Sequence, residues 1–580
     1  MSLTLQLFLI VIVFLADVKQ PIDQSISISS VKDTMGIKRK FYKRLLLCGL
    51  LVNMLIVYFL LKQRLQVSVS EVEAPEMDIC SFPNLKPFDK EVLRYIRSSP
   101  IKSMQCPRVG PDLFASDLST LYQIQHDFID YSKIRCFYKT NGDWMKFYKA
   151  LEINHANVVQ VKCTHLKKTV HRDYITIVPH LPIKSKKSYN VLVLVLRDLS
   201  RMNFHRDMRE THRVTKKLRI VEMQRPNVIS MDDHSNLVTM MRGCPDKRCD
   251  GDFVWEEFRR RGFLTAYAED GIKKHLNTTE YNFDYDLRLD NNLQDFFGSK
   301  WNTNLHPLCM RNRKTHEVLL KFAKQLLNRS YLSDQNFFIW ITINAVKGSE
   351  DRVKDLDVDF ARFFDYLSKA GHLNDTFVLF LSDRGNPLTD LHNIQRGFVE
   401  SLLPFHFLSV PGWFKSESRV DFNNLKRNRD APITPYDVYH SLKSLANFDQ
   451  PHLGIFSKLS KDNNPYIPSE YKACYWRQIP NNDSEALKAA RYSIDYVNYK
   501  VQNTECLIIN LKIIVSVRYT NNENIYVIRF LVNQLQSLYE CVVYKHGYRL
   551  LVKSVNRVGI FDDSCVDENL HKKMCVCPNT

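Results

Sequence analysis

The residues of this chain best placed to do chemistry stand directly behind two apolar runs. Val191 to Leu196 closes on Arg197-Asp198, and Phe377 to Leu381 closes on Ser382-Asp383-Arg384-Gly385. Unbroken apolar runs of this length read as strands buried on both faces of a parallel sheet. The polar residues behind them then fall at the carboxyl edge, where open α/β sheets form their crevices. The types gathered there point two ways. A metal-dependent site there would need carboxylates and histidines, and this one sets two arginines beside Asp198 and Asp383. Arg197 and Arg384 carry permanent positive charge, and a guanidinium fork binds sulfate, phosphate or carboxylate through two parallel hydrogen bonds.

The phrases around these runs occur in one order: Asn190 to Phe204 (NVLVLVLRDLSRMNF), Asn236 to Gly243 (NLVTMMRG), Gly262 to Gly271 (GFLTAYAEDG) and Gly371 to Gly385 (GHLNDTFVLFLSDRG). Leu402 to Phe414 (LLPFHFLSVPGWF), Ile433 to Leu442 (ITPYDVYHSL) and a tail ending Cys575-Val-Cys577 continue the series. In that order the chain resembles the animal domain-of-unknown-function branch of the sulfatase/alkaline phosphatase superfamily, over residues 78–580. The resemblance implies an α/β fold: an alkaline phosphatase/sulfatase-like core, its mainly parallel sheet flanked by helices, with a small disulfide-bonded β-rich C-terminal module.

It also implies where catalysis should sit. Enzymes of that superfamily bind metal through an Asp after the first core strand, set a Thr, Ser or modified Cys nucleophile at a helix N-terminus, and add an Asp-His pair after a later strand. The metal polarises the phosphoryl or sulfuryl oxygens and activates a nucleophile that is weak at neutral pH. Matched to those phrases, Arg197 takes the place of the first metal-binding Asp, with Asp198 one residue later. Asp233 takes the nucleophile position, with Asp232, His234 and Ser235 beside it but out of register. Asp383 matches the later Asp, whereas its His partner is replaced by Arg384. After Phe337 to Ile343, where another His-Asp pair is expected, the chain reads Asn344-Ala345-Val346-Lys347. One carboxylate cannot supply the three or four ligands of zinc or the six or more oxygens of calcium. No cofactor is therefore expected, a divalent metal entering only if the protein is a divergent ester hydrolase. Arg197 and Arg384 are the candidates for binding an anion, or for pairing internally with Asp383 and Asp233.

The elements that must position these residues are legible around them. Phe360, Phe363, Phe364 and Leu367 recur at helical spacing, Gly371 offers a C-cap, and the strand Phe377 to Leu381 comes next, which is the spacing of one crossover unit. Cys506 to Tyr519 and Ile525 to Leu531 are β-branched and aromatic runs separated by Thr520-Asn-Asn-Glu-Asn524, the pattern of antiparallel strands joined by a loop. The organisation reads as a cytoplasmic N-terminal segment (1–44, of which 1–34 resembles an upstream extension), an apolar span (45–61), a linker (62–77), a cysteine-bearing lead-in (78–187), the α/β domain (188–500) and the β-rich module (501–580).

The span Leu45 to Leu61 carries no charge and is just long enough to cross a bilayer of about 30 Å as a helix. Lys38, Arg39, Lys40, Lys43 and Arg44 precede it, so the positive-inside rule predicts a single-pass type II membrane protein, most of it luminal or extracellular. The cysteines agree: of 14, Cys48 falls in the span, and the other 13 are spaced like a secreted disulfide framework, the odd count leaving one thiol over. A zinc reading of Cys244-x4-Cys249 or Cys575-Val-Cys577 lacks a second ligand pair at the usual spacing. Sequons at Asn277, Asn328, Asn374 and Asn482 would accept glycans in such a compartment.

Other chemistry is poorly supported. No Gly-x-Ser-x-Gly elbow, His-Glu-x-x-His motif or phosphate loop occurs, and only 17 glycines are present in 580 residues. The formal net charge of +18 is scattered and no nucleic-acid module is recognisable, so anionic glycans, phosphate or sulfate are better expected ligands than nucleic acid. His205, His234 and His406 each stand alone in sequence, as structural hydrogen-bonding histidines do. The residues favour a non-catalytic pseudoenzyme that binds an anionic ligand or a protein partner, over a divergent metal-dependent phosphoric or sulfuric ester hydrolase or a purely structural ectodomain.

Overall fold

The computed structural model describes residues 82–96, 104–106, 110–140, 142–181, 188–232, 234–245, 252–270, 283–288, 308–344, 352–473, 476–520, 524–559, 565–566 and 573–578. All fall within one unit, Cys80–Thr580. Seven strands form its central sheet: β1 (Asn190–Leu196), β2 (Val221–Met223), β3 (Leu264–Glu269), β4 (Tyr285–Arg288), β5 (Phe337–Ile343), β6 (Thr376–Leu381) and β7 (His406–Ser409). Their order is β4-β3-β5-β1-β6-β7-β2. The first four pairings are parallel, and β7 and β2 close one edge antiparallel.

Both faces of this sheet are dry, which is why β1, β5 and β6 are apolar at nearly every position rather than at alternate ones. Side chains alternate between two cores. Leu192, Leu194 and Leu196 join Ile339, Ile341 and Phe380 on one face, while Val191, Val193 and Val195 join Phe338, Trp340 and Leu379 on the other. The first face is covered by α1 (Arg201–Asp207), α2 (Arg209–Lys217), α5 (Thr315–Ser333) and α6 (Arg352–Lys369), and the second by α3 (Ser235–Arg242), α4 (Val254–Arg260) and α7 (Pro435–Ala446). On α6 the predicted stripe Phe360, Phe363, Phe364 and Leu367 is fully buried, worth about 1.5–3 kcal/mol per side chain. Gly371 comes next with φ +77°, the left-handed conformation that ends the helix at low cost.

Parallel register places the candidate residues. Val195 lies opposite Leu381, so the two chain segments leave the sheet side by side, Arg197-Asp198 from β1 and Asp383-Arg384 from β6. The α/β core with a mainly parallel sheet is thus as expected from the sequence.

The lead-in is more ordered than its cysteines alone suggested. It folds as a three-stranded sheet (Phe114–Asp117, Thr120–Gln123, Ala150–Glu152) and a four-stranded one (Arg135–Lys139, Met145–Lys146, Val158–His165, Lys168–Thr176), both antiparallel. Disulfides join Cys136 to Cys163 within it and Cys106 to Cys309 in the core.

The C-terminal module is a five-stranded antiparallel sheet of β8 (Arg477–Ile479), β9 (Leu511–Thr520), β10 (Ile525–Val532), β11 (Leu538–His546) and β12 (Arg549–Val558). Helix α8 (Ser484–Val501) buries Ala486, Ala489, Ala490 and Val497 against this sheet, and β8 pairs with β9. Cys506–Cys575 and Cys565–Cys577 are disulfides, which removes the zinc reading of the last pair, and Cys541 is a free buried thiol whose pKa burial pushes up to about 12.

The predicted single-pass membrane localisation is also corrected: among the described residues no helix is long and apolar enough to cross a membrane. The span Leu45 to Leu61 lies outside the described residues.

Candidate functional site

At the carboxyl edge of β1 and β6 the two arginines and two aspartates pair crosswise. Arg197 Nε donates to Asp383 Oδ2 at 3.1 Å, with both side chains 2% exposed. Arg384 Nε donates to Asp198 Oδ1 at 2.7 Å, and its guanidinium also donates to the carbonyl of Met231. Arg384 is 5% exposed and Asp198 28%. The second oxygen of Asp383 accepts the backbone N–H groups of Asp198 (3.0 Å) and Arg384 (3.1 Å). One carboxylate therefore joins the two strand ends through a side chain and two main-chain donors.

The backbone is shaped to allow this. β1 has ended by Leu196, and Asp198 adopts φ +59°, a conformation Asp tolerates better than most residues. Ser382 Oγ accepts from the Leu199 N–H at 3.0 Å and donates to the Arg384 carbonyl at 2.9 Å, closing the turn. His406, at the start of β7, meets the Ser382 carbonyl through Nε2 at 3.1 Å. Burial lowers its pKa to about 4, so the ring is neutral there. His406 is the structural histidine the sequence suggested.

Asp233 lies outside the described residues, but its neighbours show what occupies the start of α3. Asp232 accepts the N–H groups of His234 (2.9 Å) and Ser235 (2.7 Å) and the Ser235 hydroxyl (2.6 Å), while Lys573 of the C-terminal tail approaches to 3.4 Å. Burial alone would raise its carboxyl, but the Lys573 charge and these donors outweigh that and hold it well below the usual carboxylate range. The positive end of the helix dipole is thus met by the chain's own carboxylate.

A third Arg–Asp pair lies at the neighbouring strand ends. Asp270, after β3, accepts from Arg352 at 3.1 Å and from the main-chain and side-chain nitrogens of Asn344, after β5, at 2.8 and 3.1 Å. Where a His-Asp pair was expected, Asn344 is thus a strand-end staple. Glu350 and Asp351, its conceivable stand-ins, lie outside the described residues.

These residues do not suit a divalent cation. Both oxygens of Asp383 are committed to donors, Asp198 is matched by Arg384, and a cation entering here would face two guanidiniums that cannot deprotonate. Arg197 and Arg384 are each buried against a carboxylate. A cavity of about 390 Å³ is lined elsewhere, by Phe82, Arg201, Gln224 and Arg225 among others.

The sequons differ in presentation. Asn374 and Asn482 are exposed, while the amide oxygen of Asn328 accepts from Tyr366 (2.6 Å) and His372 (3.0 Å) within the fold; Asn277 lies outside the described residues. His234 is exposed at the start of α3. His205 does not stand alone, contrary to its sequence context: it hydrogen bonds to Glu222 of β2 at 2.7 Å, with His212 alongside. The signal available in sequence was the seven-residue interval between the two histidines, two helical turns, obscured by the break between α1 and α2 at Met208.

Several solved structures are similar to this chain at a low level. A protein in the alkaline phosphatase superfamily from Vibrio parahaemolyticus is 11% identical over 68% of this chain and 86% of its own, with a TM-score of 0.35. The PsFucS1 sulfatase from Pseudoalteromonas sp. is 10% identical over 64% and 83%, at 0.33. The lipoteichoic acid synthase LtaP from Listeria monocytogenes is 14% identical over 40% and 69%, at 0.29. Likeness at that level transfers no substrate or activity. No curated protein matches the chain. Residues 112–465, more than half of the sequence, match the family described as "Protein of unknown function (DUF229)", and the chain belongs to that family.

Proposed function

We propose that this protein is a non-catalytic member of its fold, a pseudoenzyme that acts by binding. One observation carries the reading: the crossed pairs Arg197–Asp383 and Arg384–Asp198 fill the strand ends from within. The guanidiniums stand in for the positive charge that a metal would bring, and each is neutralised by a carboxylate that would otherwise have been a ligand. Burying Arg197, Asp383 and Arg384 together is tolerable only because each is paired and hydrogen bonded. Binding then falls to the outer surface, and the formal charge of +18 favours an anionic partner such as an acidic glycan or an acidic protein face.

A second reading keeps the crevice as an anion site. It rests on the 28% exposure of Asp198, which lets water reach the outer pair and would let sulfate or phosphate compete for Arg384. The test is thermal unfolding of the full chain with inorganic sulfate or phosphate, together with hydrolysis of aryl phosphate and sulfate esters in the presence of zinc, magnesium or calcium. The pseudoenzyme reading expects no turnover above buffer. Turnover abolished by Asp383→Asn would overturn it, and an anion-dependent rise in Tm that disappears in Arg384→Met would move the binding role into the crevice.

A further inference from the structure

Away from that crevice, at the antiparallel edge of the sheet, two imidazoles and a carboxylate converge. His205 lies in the last turn of α1, His212 on α2 and Glu222 on β2. One ligand atom from each lies within 4.8 Å of the others. His205 Nε2 is 2.7 Å from Glu222 Oε1, His212 Nε2 is 4.0 Å from Glu222 Oε2, and the rings meet edge to face at 4.4 Å between centroids. We propose that His205, His212 and Glu222 form a binding site for one zinc-class divalent cation.

The chemistry selects that class. Two neutral imidazoles and one carboxylate are a three-ligand zinc set with the fourth position left to water, and nitrogen donors disfavour calcium and magnesium. Zinc–ligand bonds of about 2.0–2.2 Å set four-coordinate donors roughly 3.3–3.6 Å apart, so the site closes by side-chain adjustment without backbone movement. His212, 32% exposed, leaves an approach from solvent, whereas His205 and Glu222 are 13% and 14% exposed.

Entry of the cation exchanges it for the Nε2 proton of His205, which leaves to solvent or moves to Nδ1. Arg201 Nε already holds Glu222 Oε1 at 2.7 Å and its guanidinium also reaches Gln224, so after binding it would orient the ligating carboxylate from behind while its charge limits affinity. The cysteine cluster Cys506, Cys565 and Cys575 is no rival, because its sulfurs are in disulfides.

The deciding experiment is titration of the full chain with cobalt(II) as a spectroscopic substitute for zinc, monitored by visible absorption. About one equivalent should give the d–d bands of a four-coordinate site, zinc should abolish them, and both His205→Ala and His212→Ala should lack them. Should those variants lose their fold by circular dichroism, Glu222→Gln, which retains a hydrogen-bonding group toward Arg201, should bind at least about tenfold more weakly. Absence of the bands in the wild-type chain, or their persistence in the ligand variants, would overturn the proposal. The bands report on the antiparallel edge and the ester-hydrolysis assay on the crevice, so the two results are read independently.

Discussion

The crevice at the parallel strand ends and the His205–His212–Glu222 cluster at the antiparallel edge both gather charge, and they differ in what neutralises it. In the crevice each carboxylate has its own guanidinium, and the innermost pair is sealed. At the edge one carboxylate serves Arg201 and His205, with a second histidine nearby and solvent at hand. The residue types that suggest metal chemistry in sequence, the aspartates behind the strands, are those already satisfied. The histidine that reads as solitary belongs to the set with coordinating capacity to spare. Donor type nominates a site; how completely each donor is satisfied decides it.

The largest expected effect comes from breaking the sealed pair. Asp383→Ala removes the carboxylate that pairs with Arg197 and the acceptor of two main-chain N–H groups, and should cost about 3–5 kcal/mol in urea denaturation. Asp198→Ala removes a partner that water can partly replace, and Arg384 keeps the Met231 carbonyl, so the loss should be about 1.5–3 kcal/mol. If the two variants proved equally costly, the distinction between inner and outer pair would fail.

At the other region Glu222→Gln retains a hydrogen-bond acceptor and should cost only about 1 kcal/mol at neutral pH. Its effect on pH dependence is more informative. The Glu222 carboxyl lies at about 2 when folded against an ordinary 4.5, so its contribution to stability is complete above 4.5 and is lost as pH falls toward 2. The variant should lack that portion of the acid-induced loss, as read from Tm between those pH values. An unchanged acid limb would mean that Glu222 is not the group held down by Arg201 and His205.

The fold was legible where local pattern and burial coincide. β1 and β6 announce themselves because strands covered on both faces must be apolar almost throughout. The Phe360 to Leu367 stripe does so because one face of α6 meets the sheet. The site was legible in its members but not its pairing: Arg197 and Asp383 lie 186 residues apart, and only the parallel register of β1 with β6 sets them side by side. The lead-in carries alternate burial along Val158–His165, but its buried positions there are valines and a cysteine set between polar residues, a period-two signal too short to stand out beside the core strands. The packing partner of helix α8 was not legible from pattern, because an alanine-rich face fits a sheet of either kind. Membrane topology drawn from Leu45 to Leu61 rested on residues outside the described fold.

The crossed pairing also constrains how such a chain can change over time. Placing an aspartate at position 197 alone would put a third carboxylate among Asp198 and Asp383 and remove half of the balancing charge. Replacing Arg384 alone would remove the guanidinium that pairs with Asp198. Each single step toward a cation-binding crevice therefore passes through a less stable protein before any ligand can compensate, so such a change requires coordinated substitutions.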